Sequence, residues 1–180
     1  VFDAFALLHL LPHPWLESDD VRAAFQGRAA EIHPDRAGET ADFAELTRAY
    51  ETLREPAARL RHWLALAHPA VVLPAGVSPE LMDWFPRVAA QVQALKQAAQ
   101  RKAAATSPLA RALALEALGP AEALRREIDR LQEAAFARIR ELGTTQQEGE
   151  VAELVRLAGK LAFLEKWSGQ LSEGVLVLRM

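Results

Sequence analysis

His33, Pro34 and Asp35 stand in succession and combine a titratable ring, a locked backbone and a carboxylate. Pro34 fixes its own φ and disfavours helical backbone at His33, so a helix arriving there must end. Asp35 then projects from a stiffened turn, placed to accept a bidentate hydrogen bond from an arginine on a partner. The plainer alternative is a helix-stop proline in an ordinary turn. Either way the triplet offers recognition rather than bond breaking. His9 and His13 are four apart, but Pro12 breaks the helix that would put both rings on one face, so no metal pair is expected. His62 and His68 read as surface or linker groups. The chain has no glycine-rich phosphate loop, no Ser/His/Asp arrangement and no clustered metal ligands. No catalytic residue, metal or cofactor is therefore expected, and the chain is not read as an enzyme.

The elements that position these residues are helical by composition. Ala and Leu supply 63 of the 180 residues, whereas Val, Ile and Thr together supply 20. That balance predicts an all-α protein. Charge adds as 21 Lys+Arg against 24 Asp+Glu, or −3, so no basic excess exists to hold a phosphate backbone and nucleic acid is not an expected partner. Cysteine is absent, which excludes disulfides and thiolate sites and fits a reducing, cytoplasmic location. The apolar stretch over 4–12 is far shorter than the roughly 20 residues of a membrane span. Without a basic flank it does not read as a signal peptide either, and no membrane is expected.

Residues 3–11 read as a short apolar helix stopped by Pro12 and Pro14. Ser18-Asp19-Asp20 reads as a cap and acidic first turn, opening a helix with Val21, Phe25 and Ile32 on one face. A loop over 35–41 leads to a third helix, about 42–54, with Phe43, Leu46, Ala49, Tyr50 and Leu53 at helical spacing. Pro56 opens a fourth, through Leu60, Trp63 and Leu64. The two long elements make a helical hairpin. Residues 71–78 read as a linker between 1–70 and 79–180. Ser78-Pro79-Glu80 signals a helix running to about Ala105, with Pro86 expected to kink it or delay its start. Further helices open at Pro108 and Pro120, and a last one begins near 150 after a turn bracketed by Gly143 and Gly149. Three long amphipathic helices predict an antiparallel bundle. Trp15, Trp63, Trp84 and Trp167 read as packing anchors, and Arg101-Lys102 and Arg125-Arg126 as solvated faces.

The order helix, His33-Pro34-Asp35, loop, then Phe43, Leu46, Ala49-Tyr50-Glu51 and Leu53 resembles the J-domain of DnaJ-type co-chaperones. The runs Asp3-Ala4-Phe5-Ala6-Leu7, Thr52-Leu53-Arg54-Glu55-Pro56 and Trp63-Leu64-Ala65-Leu66 are similar to HscB, the co-chaperone family of iron–sulfur cluster assembly. Leu81-Met82 and the segment Lys160-Leu161-Ala162-Phe163-Leu164-Glu165-Lys166 agree. The likeness is dense over 3–67 and thin elsewhere. It implies an N-terminal J-domain with flanking short helices, followed by an HscB-like three-helix client-binding bundle. It implies a co-chaperone that stimulates the ATPase of a DnaK/HscA-class chaperone and delivers an IscU-type iron–sulfur scaffold. His33, Pro34 and Asp35 would be the signalling turn, with Arg22 and Arg36 on the docking face. Leu81, Met82, Phe85 and Phe163 would be apolar client contacts, although helical spacing alone reads these four as core.

The chain departs from that pattern. Gln26, Gly27 and Glu31 stand where the family is often basic, and residues 19–32 hold two Arg against three acids. Arg28 occupies a position usually apolar, its stem expected to pack while its head reaches water. Pro86, Ala89 and Gln93 replace carboxylates beside the client contacts. A J-domain protein with another client, or a passive helical module, are the alternative readings.

Overall fold

The computed structural model describes residues 2–32, 39–73, 76, 78–143 and 148–180. The protein is all-α: among the described residues every regular element is a helix. The chain divides into two compact units, one of 1–75 with 136–159, the other of 76–135 with 160–180. The division differs from the expected one. Its first break falls in the proline- and glycine-bearing stretch read as a linker, but the stretch 136–159, expected in the bundle, belongs with the N-terminal segment. Periodicity cannot reveal this, because one amphipathic helix can serve different cores along its length.

In the first unit, α1 (Ala4–Leu7) is capped by Asp3, whose carboxylate accepts from Phe5 N at 3.0 Å and Ala6 N at 3.1 Å. It is shorter than the apolar run over 3–11. His9 adopts φ 55°, and Leu10 N donates to Phe5 O at 2.9 Å while His9 N donates to Ala6 O at 3.1 Å. These two bonds make a Schellman stop, with a histidine where glycine is usual. α2 (Ser18–Glu31) begins at its expected cap, so the N-cap is Glu17, one residue earlier. Its C-terminal end is joined to α3 (Glu39–Arg54) through the segment that carries the His-Pro-Asp triplet. Val21, Leu46, Ala49 and Leu53 are buried with Ala4, Phe5 and Leu8 in one core, and Phe25 stacks on Tyr50 at 4.5 Å. Phe43 is not core as expected: it stands largely exposed, one turn beyond the buried stripe of α3. α4 (Pro56–Ala67) starts at its proline, which needs no intrahelical donor there.

In the second unit a 3₁₀ turn, Pro79–Leu81, precedes α5 (Trp84–Ala104). Pro86 therefore delays the helix rather than kinking it: it is the third helical residue, where an N–H has no intrahelical acceptor. α6 (Pro108–Leu115), α7 (Leu118–Leu142) and α8 (Glu148–Arg179) follow. Gly149 lies inside α8 instead of bracketing a turn. Arg125 pairs with Ser172 and Asp129 with Ser168, each at 3.4 Å, so α7 and α8 are antiparallel. Arg87 bonds Glu127 at 2.7 Å and Gln91 reaches Ala117 O at 3.4 Å, so α5 and α7 are antiparallel too. α5 and α8 are consequently parallel, as Phe85 beside Trp167 and Lys102 beside Leu178 confirm. Leu95, Ile128, Leu164, Trp167 and Leu171 form the core between them. Gly174 permits a close approach of α5 and α8: a Cβ there would lie 2.8 Å from Leu95 Cδ1.

Candidate functional site

His33, Pro34, Asp35 and Arg36 lie outside the described residues, and the structure adds nothing to the sequence reading of them. What is described is their frame. Arg28 of α2 donates Nε–H to Leu7 O at 3.4 Å and another guanidinium nitrogen pairs with Glu31, so the head bridges the end of α1 and an acid of its own helix. Arg22 is exposed on α2, but its guanidinium bonds Asp19 one turn back at 2.7 Å. The main cation of this face is thus already shared with an acid of its own helix.

Sequence reading placed His62 at the surface. The structure corrects it: Nε2 accepts from Ala4 N at 3.0 Å, and the ring lies 5.6 Å from both Phe5 and Phe2. Burial lowers its pKa from the usual 6.5, with Asp3 pulling weakly the other way. The ring is therefore a neutral acceptor for a helix-start donor. The residue was missed because its partner is fifty-eight positions away.

Trp15 is an anchor with a specific cage. Its Nε1–H donates to Glu17 at 2.8 Å, Phe136 lies 5.0 Å away, and the Arg140 and Arg59 guanidinium groups sit 4.2 and 5.5 Å from the ring. Arg59 is buried and donates to Leu53 O at 2.8 Å. Beside this cage a cleft of about 260 Å³ is lined by His13, Trp63, His68, Gly143 and Val151. His13 Nε2 is 3.2 Å from Gly143 O.

The four expected client contacts do not behave alike. Leu81 is 1% exposed and belongs to the core, because the 3₁₀ turn rolls it inward. It is therefore not a surface contact. Met82, the next residue, is 59% exposed. Phe85 is half-buried, edge-on to Phe163 at 5.6 Å and to Trp167 at 4.9 Å. Phe163 reaches Phe85 because the first and third bundle helices are parallel. Trp84 is half-buried under the Arg87 guanidinium, 4.6 Å from its ring.

A shallow depression of about 350 Å³ adjoins these rings, and Ala89, Gln93, Trp167 and Lys166 line it. Its charged residue is a lysine, and Ala89 and Gln93, two of the three positions where the resemblance leads one to expect carboxylates, line it. Lys160 nearby is held by Glu80 at 3.1 Å.

Among the described residues no group of three His, Cys, Asp or Glu could hold a metal, and no helix is long and apolar enough to cross a membrane. No family model, curated protein or solved structure matches the chain.

Proposed function

We propose that the protein is a J-domain co-chaperone that stimulates a DnaK/HscA-class ATPase and presents a client through its helical bundle. One observation carries the reading: α2 and α3 share a core, and the segment joining them holds His33-Pro34-Asp35. A triplet of this kind between two packed helices is a display device, and α1 and α4 brace the helices behind it. The chain's own role is to bind and signal, with hydrolysis belonging to the partner.

A second reading, a J-domain protein whose client is not an IscU-type scaffold, draws on the depression beside Phe85. A surface that presents Lys166 among Ala89 and Gln93 favours a client of different charge from one that meets carboxylates.

The test is steady-state ATP turnover by a DnaK/HscA-class chaperone with added wild-type or His33→Gln protein. Stimulation by wild type and its loss in the variant, at unchanged circular dichroism, supports the proposal. Equal rates with both proteins reject it. Capture of an IscU-type scaffold by the wild-type chain then separates the two client readings.

A further inference from the structure

Beyond the aromatic cluster, the seam between α5 and α8 stays open on the side away from α7. Val92, Lys96, Ala99 and Ala103 follow one another on α5 at three- or four-residue spacing. Gln170, Glu173 or Gly174, and Val177 do the same along α8, with Met180 just past its end. Two depressions, about 260 and 470 Å³, lie along this seam and share Ala99 and Val177, so they form one groove. Residues 92–103 span about 16 Å at the α-helical rise, or three helical turns.

The groove has a recessed floor and an apolar edge. Ala99, Ala103 and Gly174 are small, and the missing Gly174 Cβ lets α5 and α8 approach closely. Val177 is 53% and Met180 89% exposed at its margin. A three-helix bundle with one open seam of this shape accepts a fourth helix, whose side chains would enter between the two ridges.

Charge selects the occupant. Lys96, Lys102 and Arg111 line the groove, with Arg101 next to Lys102. Lys102 donates to Leu178 O at 2.9 Å, Arg111 to Ala105 O and Arg101 to Gln97 O, each of the latter at 3.4 Å. Among the described residues none of the three lining cations forms an ion pair with an acid. Glu173 is the single acid in the lining. Uncompensated cations along a concave apolar groove complement a helix with an apolar stripe and acidic flanks. A lipid surface is flat and would not reach a recessed floor.

We propose that this groove binds an acidic amphipathic helix of a partner protein. The proposal goes beyond the co-chaperone reading and does not depend on it, since none of Met82, Phe85, Phe163 or the His-Pro-Asp triplet takes part.

The probe is a fluorescent synthetic helix of about four turns, with leucines on one stripe and glutamates on both flanks. A control peptide keeps the leucines and carries lysines in place of the glutamates. Anisotropy titration with the full chain should give saturable binding of the acidic peptide, at least about tenfold tighter than the control. The exposed substitutions Lys96→Glu and Arg111→Glu together should weaken it by about tenfold or more at unchanged circular dichroism. Equal affinity for both peptides, or no saturable binding of either, overturns the proposal. So does co-sedimentation with anionic vesicles while the acidic peptide fails to bind, or self-association of the chain that masks the groove.

Discussion

His62 Nε2 and the Ala4 amide, 3.0 Å apart, tie the start of α1 to the middle of α4. The bond requires a neutral ring, and burial holds the pKa of His62 below 6.5 in the folded protein. In the unfolded chain the ring takes its proton at the ordinary value. The unfolded state therefore binds more protons between the two values, and stability rises with pH across that window. The contribution is complete above about 6.5 and is lost as pH falls through the folded value. Thermal melting between pH 8 and pH 5 should show this decline, and His62→Gln, which keeps an acceptor but does not titrate, should flatten it. Parallel profiles for the two proteins would remove His62 as the cause.

His9→Gly should stabilise the protein. The left-handed backbone at φ 55° costs a side-chain-bearing residue about 1 kcal/mol, and glycine adopts it without that cost. After allowing for the looser unfolded chain, a gain of about 0.5–1 kcal/mol is expected, or roughly 1–4 °C in melting temperature. A lower melting temperature would mean that the exposed imidazole makes a stabilising contact.

Two glycines of α8 should respond oppositely to alanine. Gly169 has nothing within 4 Å of an added Cβ, so Gly169→Ala should gain about 1 kcal/mol of helix propensity. At Gly174 the same methyl meets Leu95, with Cδ1 at 2.8 Å and Cβ at 3.3 Å, so Gly174→Ala should cost about 1–3 kcal/mol instead. In a Leu95→Ala background the penalty should disappear. Denaturant midpoints of the four proteins measure the coupling directly.

Leu81 and Met82 are neighbours with different duties. Leu81→Ala should lose about 2–5 kcal/mol as a core truncation. Met82→Ala should change stability by less than about 0.5 kcal/mol. If the bundle presents a client here, Met82→Ala should weaken capture of that client while urea unfolding is unaltered. A large stability loss at Met82 would place it in the core with Leu81.

Helix content, the proline-defined starts of α4 and α6, and the buried stripe Leu46-Ala49-Leu53 were all legible in the sequence, because each rests on local spacing. What escaped was non-local. Leu81 and Met82 read alike, and only the direction of a 3₁₀ turn tells them apart. Phe43 continues the α3 stripe on paper but lies past the reach of the core. His62 and Trp15 gained their roles from partners far along the chain, at Ala4, Phe136 and Arg140. The His33-Pro34-Asp35 triplet is the reverse case, read from residue types alone.

The stretch 136–159 belongs with the first 75 residues, and Trp15 leans on Phe136 and Arg140. Synthesis from the N-terminus therefore does not complete the two units in the order in which they begin. When the first 75 residues have left the ribosome, the indole of Trp15 has no ring or guanidinium from α7 to rest on. The second unit's α5 and α6 must emerge before that platform arrives. The nascent chain thus carries an unfinished apolar face through much of translation, a period in which a holding chaperone would find a binding surface that the finished protein conceals.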